Sequence, residues 1–247
     1  MKPAVVADVG NTRIKWGRCH DGQVVDAVSL PPDDPQAWQE QIRLWNLARP
    51  SFWVAAGVHP QRRDRLAEWL REQGDSIHVL NSSQELPLRV LVEQPDRVGI
   101  DRLLNAVAAS RRVRPDQPAI LVDAGSAITV DYLDELQAFA GGAILPGIRL
   151  MARSLHDYTA LLPLVNVEHA APPMPATSTA AAIEAGIYWA AVGAIQALVR
   201  RLQTVTTIGA ELYLTGGDGP LLAMALDVEV WPNMTLEGIR IAAEALP

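Results

Sequence analysis

The amino-acid sequence predicts an α/β protein built from two similar halves. Three observations carry the prediction. An apolar, β-branched run ends in Asp-Val-Gly at Asp8–Gly10, and another ends in Asp-Ala-Gly at Asp123–Gly125. Each is followed by two more strand-like runs and then by helical stretches. A further strand-like run closes on Gly-Gly-Asp-Gly at Gly216–Gly219. One supersecondary pattern met twice reads as an internal duplication. The expected fold is a pair of ribonuclease H-like halves with a central cleft, the architecture of actin-like ATPases and of acetate and sugar kinases. The halves are expected at 1–114 and 115–247.

The elements follow in order. The segment from Pro3 to Leu30 reads as three strands, with His20-Asp21-Gly22 as the turn between the second and third. Residues Gln36–Ala48 read as a helix and Ser51–Gly57 as a strand. Gln61–Gln73 is amphipathic, with Leu66, Trp69 and Leu70 as its apolar stripe. A short strand at Ile77–Leu80 precedes a helix at Gly99–Ser110 and a link from Arg111 to Pro118. The second meander then runs through AILVDAGSAITVDYLDELQAFAGGAILPG. Helices are expected at Ile148–Ala160 and Thr179–Leu202, with a loop at Ala170–Pro175 between them. A strand at Glu211–Thr215 and a last helix from about Thr235 complete the chain.

Composition narrows the function. A chain of 247 residues holds two small domains, and 49% hydrophobic residues can fill their cores. The net charge of -7 argues against nucleic-acid binding, which needs a basic footprint. It argues equally against docking on anionic lipid. The single cysteine, Cys19, excludes an intrachain disulfide and fits a reducing compartment. The first residues lack the zones of a signal peptide. No apolar run approaches the roughly 20 residues of a bilayer span. Thr179–Leu202 carries Glu184, Gln196, Arg200 and Arg201, and reads as a packed core or interface helix. A cytoplasmic protein with no membrane and no nucleic-acid partner is expected.

Three motifs can carry chemistry. In DVGNT, Gly10 lets the backbone approach a phosphate, and the Asn11 and Thr12 side chains and backbone N–H groups can donate to it. Asp8 can hold hydrated Mg²⁺, which needs few carboxylates. Lys15, one of only two lysines, suits a phosphate contact as a point charge. The alternative is an ordinary hairpin with an Asx-turn. In DAGSAIT, Asp123 and the Ser126 and Thr129 hydroxyls can meet a cation or phosphates, or Ser126 can serve only its own turn. In VGIDR, Asp101 can act as a general base and Arg102 can grip a carboxylate. Asp101 can equally cap the helix it opens. Thr179 and Ser178 are candidate helix caps. No Walker A loop is present, so phosphate binding by hairpin turns points to the actin-like class. The five histidines show no metal-ligand spacing. Arg62, Arg63 and Arg65 read as a solvated face.

The runs DVGNTRIKWG, GIDR, DAGSAIT, GGAILPGIRLMARSLHDYTALLP, TAAAIEAG and YLTGGDG, in that order, resemble type III pantothenate kinase along almost the whole chain. The resemblance implies phosphorylation of pantothenate by ATP, the first step toward coenzyme A, with Mg²⁺ and with K⁺ or NH₄⁺. It implies a homodimer whose substrate site is completed at the subunit interface. It gives ATP phosphates to Asp8, Val9, Gly10, Asn11, Thr12, Arg13, Ile14, Lys15 and Ser126, with Asp8 reaching Mg²⁺ through water. It gives pantothenate to Val92, Gly99, Ile100, Asp101, Arg102 and Thr179, with Asp101 as general base, and the monovalent cation to Asp123. Three positions depart from the family pattern: Ser126 stands for threonine, Ile100 for alanine, and Val92 for a substrate-contacting tyrosine. The alternatives are another small-molecule kinase of the same superfamily, or a non-catalytic, transcription-associated protein that kept the fold.

Overall fold

Two mixed sheets repeat one topology in the computed structural model, which describes residues 2–246. The chain divides into two compact units. One comprises Met1–Arg112 together with Asn233–Pro247, the other Val113–Pro232.

The first unit opens with β1 (Val5–Val9), β2 (Ile14–His20) and β3 (Gln23–Leu30). Asp21 and Gly22 both take positive φ, 48° and 75°, so the expected Asp-Gly turn joins β2 to β3. Next come α1 (Pro35–Leu44), β4 (Phe52–Gly57), α2 (Pro60–Glu72), β5 (Ser76–Val79) and α3 (Ile100–Ser110). The sheet order is β3-β2-β1-β4-β5, with the meander antiparallel and β4 and β5 parallel to β1. Helix α1 starts where it does because Asp34 Oδ1 accepts from Gln36 N and Ala37 N, with Pro35 in the first turn. One face of the sheet buries Trp16, Trp38, Trp53, Leu66 and Leu70. Trp16 and Trp53 meet edge to face at 4.8 Å.

The other face carries the last helix, α7 (Met234–Ala245). A Cβ on Gly17 of β2 would lie 3.2 Å from Leu236 of α7. A Cβ on Gly238 would lie 2.0 Å from the Leu104 carbonyl of α3, so only glycine admits this approach of two helices. Thr235 Oγ1 donates to Asn105 Oδ1 at 2.9 Å inside the same contact. These contacts explain a difference from the sequence reading. A division at 114/115 put residues 233–247 with the second half, whereas the helix they form packs within the first unit.

The second unit contains β6 (Ala119–Ala124), β7 (Ala127–Leu133), β8 (Phe139–Pro146), α4 (Ile148–Asp157), α5 (Thr179–Gln203), β9 (Glu211–Thr215) and α6 (Gly219–Leu226). Its order, β8-β7-β6-β9, repeats the first sheet without the fifth strand. A single parallel bridge, Leu214 to Val230, is formed at the outer side of β9. Gly216–Gly219 is a strand-to-helix turn, and helix α6 follows it, although its eight residues GPLLAMAL carry no periodicity that separates helix from strand.

Helix α5 is packed, as its sequence reading expected. Its 25 residues are long and apolar enough to cross a membrane by length and composition. Ile183, Ile187, Tyr188, Val192, Ile195 and Val199 nonetheless lie buried in the core of the second unit, beside Val122, Ile128, Val130 and Leu214. It is a core helix with one face outward.

Candidate active site

The DVGNT turn hangs between β1 and β2. Asp8 faces Lys15 directly across the antiparallel pair, and Val9 faces Ile14. Gly10 N donates to Arg13 O at 3.1 Å and closes the turn. Asn11, Thr12 and Arg13 are exposed at its tip. Val9 and Ile14 are wholly buried in the tryptophan-rich core, so they offer a ligand only main-chain atoms. Asp8 and Lys15 lie on the opposite, α7-bearing face.

Gly99 caps α3, and Asp101 and Arg102 sit in its first turn. Arg102 N donates to Asp101 Oδ1 at 2.8 Å. Gly99, not Asp101, holds the cap position, and one Asp101 oxygen is committed to a main-chain N–H inside the first turn, which fixes the rotamer. Burial raises the Asp101 pKa above the ordinary aspartate value, and the hydrogen bond from Arg102 N and the Arg102 charge only partly offset it. A Cβ on Gly99 would come within 2.6 Å of Asp101 Oδ1, so glycine makes room for the carboxylate. Ile100 is half-buried behind it, and Val92 is half-buried in the bend that leads to Gln94. Within the first unit the structure brings Asp101, Arg102 and Gly99 together at one helix end.

In the second unit Asp123 is the middle of a polar row across the sheet. Thr129 of β7 stands directly opposite it on one side and Thr215 of β9 on the other. Thr129 Oγ1 is buried and makes no hydrogen bond among the described residues. Directly opposed strand residues have Cβ atoms about 5 Å apart, so the three side chains are neighbours on one face of the sheet. Ser126 is exposed at the following turn, where its carbonyl accepts from Gly147 N at 3.2 Å. Among the described residues no group of three or more His, Cys, Asp or Glu side chains is placed to hold a metal.

Thr179 is the first residue of α5, and Ser178 is the cap, accepting from Ala181 N at 3.2 Å. Thr179 borders an open groove of about 470 Å³ between α4 and α5. Ser154 and Thr179 are its hydroxyls, and Leu155, Leu162, Ile183 and Ile187 its apolar wall.

Two residues of the first unit escaped the sequence reading. His59 caps α2, its Nδ1 accepting from Arg62 N. Arg62 is not a solvated cation: its Nη1 donates to the Asn11 carbonyl in the β1–β2 turn, and its Nε donates to Asp33 at 3.2 Å. Its partners lie 29 and 51 residues away, so no local pattern could reveal them.

Comparison with known proteins sets these residues in context. The family profile of type III pantothenate kinase matches residues 4–201. A type III pantothenate kinase of Synechococcus sp. (strain JA-3-3Ab) is 34% identical over 242 residues, covering 95% of this chain and 90% of that one. One from Syntrophotalea carbinolica is 36% identical over 250 residues, covering 96% of each. Among solved structures, a Campylobacter jejuni protein of the Baf family of transcriptional activators has a TM-score of 0.61 at 22% identity, covering 97% of both chains. The 2-hydroxyisocaproyl-CoA dehydratase activator of Clostridium difficile with bound ADPNP gives 0.56 at 13%, covering 98% of this chain and 95% of that one. A 2-dehydro-3-deoxygalactonokinase fold from Sinorhizobium meliloti gives 0.61 at 12%, covering 98% of both. These structural likenesses establish the actin-like ATPase and sugar kinase fold and nothing narrower.

Proposed function

The chain belongs to the type III pantothenate kinase family, and on that premise we propose that it transfers the terminal phosphoryl group of ATP to the hydroxyl of pantothenate, the first step of coenzyme A biosynthesis. The observation that carries the reading is the start of α3. Asp101 is held in one rotamer by the Arg102 N–H, in surroundings that raise its pKa. That is a suitable general base for an alcohol. It takes the hydroxyl proton as the oxygen bonds to the phosphorus and ADP departs with the electrons of the broken P–O bond. The Arg102 guanidinium pairs with the pantothenate carboxylate. Gly99, Ile100, Val92 and Thr179 shape the acceptor's surroundings.

The β1–β2 turn and Ser126 hold the ATP phosphates through N–H and hydroxyl donors, with Lys15 as a point charge. The lone carboxylate of Asp8 fits Mg²⁺, which keeps most of its waters and takes its other ligands from phosphate. The row Thr129–Asp123–Thr215, with its buried, unbonded Thr129 oxygen, fits a monovalent cation such as K⁺ or NH₄⁺. Bound there, the cation offsets charge during transfer.

A homodimer completes this reading. On the outward face of α5, Ala182, Gly186, Ala190, Gly193 and Ala197 form a strip of small residues. Cβ atoms added to Gly186 or Gly193 would meet nothing within 4 Å. Mid-helix glycine costs about 1 kcal/mol relative to alanine, and close approach of a second backbone accounts for its use. Leu150, Tyr158, Leu161 and Trp189 stand exposed on or next to α4 and α5. The acidic balance supports an enzyme free of nucleic acid and membrane, working in the cytoplasm.

Coupled measurement of ADP release tests the reading. Release should require pantothenate and Mg²⁺ and should be faster in K⁺ than in Na⁺. Turnover with sugars but never with pantothenate would sink it; equal rates in K⁺ and Na⁺ would remove the cation site alone.

A further inference from the structure

The junction of β4 with α2 touches both the phosphate turn and the start of α3. Gly57 ends β4 so close to β1 that a Cβ there would lie 2.3 Å from the Val9 carbonyl. One residue on, the Val58 side chain lies against Gly99, 3.8 Å from where a Cβ would stand. Four residues after that, the Arg62 guanidinium reaches the turn itself. Its Nε and Nη2 engage the Asp33 carboxylate, each at 3.2 Å, and its Nη1 donates to the Asn11 carbonyl. Arg65 Nη1 holds the other Asp33 oxygen at 3.3 Å. Arg62 is therefore clamped from behind, with only about a quarter of its side chain exposed.

The Asn11 carbonyl and the Thr12 N–H belong to one planar trans peptide and point in opposite directions. A carbonyl turned toward α2 sends the Thr12 N–H away from it. The turn's own hydrogen bond, Gly10 N to Arg13 O, closes the loop, and Arg62 adds a contact from outside it at the Asn11 carbonyl.

We propose that Arg62 is a positioning residue for nucleotide binding, fixing the Asn11–Thr12 peptide so that its N–H faces the phosphates of ATP. The inference rests on the kinase reading for the identity of the ligand. Without Arg62 the peptide loses the contact that holds its carbonyl toward α2, and its N–H is less firmly ordered before binding. Lysine keeps the charge but cannot hold Asp33 and the Asn11 carbonyl in one rigid fork. Charge attraction and positioning are thereby separable.

The experiment is calorimetric binding of the non-hydrolysable analogue AMPPNP with Mg²⁺ to the wild type, Arg62→Ala and Arg62→Lys, alongside steady-state kinetics. Arg62→Ala should bind about tenfold more weakly or worse, the scale of a lost hydrogen bond to a charged group. Arg62→Lys should fall between the two, and the KM for pantothenate should stay within twofold. If Arg62→Ala does not fold, Arg62→Lys carries the test alone. Binding within twofold of wild type overturns the inference, as does full rescue by lysine or an equal rise in both KM values. Weakened AMPPNP binding without any pantothenate turnover in the wild type would sink the substrate reading and leave Arg62 in place.

Discussion

Burial disfavours the charged form of Asp101, and catalysis needs that form. The sign of the consequence follows from linkage. The folded-state pKa is raised, so the folded protein holds this proton more tightly than the unfolded chain does. Stability is undiminished below the unfolded pKa, falls as pH rises toward the folded value, and stays reduced above it. Turnover runs the other way, increasing as pH rises through the raised pKa. Asp101→Asn keeps an acceptor for Arg102 N but cannot take a proton. It should lower kcat by about 10²–10⁴-fold while melting no lower than wild type at pH 7. A variant within threefold of wild-type kcat would remove Asp101 from the base role. Val92 gives a second test. Valine offers apolar contact and no hydrogen bond, whereas the family's tyrosine offers both. Val92→Tyr should lower the KM for pantothenate about two- to tenfold and leave that for ATP unchanged. Loss of pantothenate turnover in a folded variant would mean that the surroundings are built around the smaller side chain.

Among the elements, the segment between α4 and α5 is tied down by one carboxylate. Glu184 Oε1 accepts from Glu168 N and His169 N at 3.2 Å and from the His169 ring at 2.9 Å. Trp189 Nε1 adds a bond to the Pro172 carbonyl. The Glu184 hydrogen bond, and then its charge, raise the His169 pKa, and the same bond lowers that of Glu184. The histidine's contribution is fully present below its unfolded pKa and is lost as pH rises through the raised value. The pair is exposed on the histidine side, so the effect is small and weakens with salt. Amide protection at Glu168 and His169 should drop across that pH range, and His169→Ala should flatten the drop. PH-independent protection in the wild type would contradict the assignment. The same scale shows what was readable beforehand. Both meanders announce themselves by apolar, β-branched runs that end in Asp-x-Gly, because strand propensity and turn sterics write those patterns directly. Helix α6 and the role of Arg62 do not, since short apolar runs are ambiguous and the arginine's partners are distant in sequence.

At the scale of the whole molecule, the outward strip on α5 makes oligomeric state a decisive measurement. Gly193→Arg places a long cation where a second backbone is expected to approach. Sedimentation should show dimers for the wild type and monomers for the variant, with the monomer less active. A fully active monomeric wild type would defeat the homodimer. The placement of the candidate residues was legible in motif order: Asp8 lies in β1, Asp101 in the first turn of α3 and Asp123 in β6, at the element ends their motifs imply. The assignment of the last helix was not. Its amphipathic pattern states that it must cover something, while the choice of α3 and the first sheet depends on Gly238 meeting Leu104 and on Leu236 meeting Gly17.

That last helix makes the first unit discontinuous, and discontinuity imposes an order on synthesis. The ribosome delivers residues 1–112, then all of the second unit, and only afterwards the segment 233–247. Domains fold as units during translation, at roughly 5–20 residues per second. The second unit, continuous in the chain, can mature while the first still lacks its cover over Val6, Gly17 and Leu104. For those seconds the nascent chain shows an uncovered apolar sheet face beside a helix with no partner. A messenger truncated within the codons for 233–247 would leave Asp8, Asp101, Asp123 and the β1–β2 turn encoded intact and still yield a protein prone to aggregation.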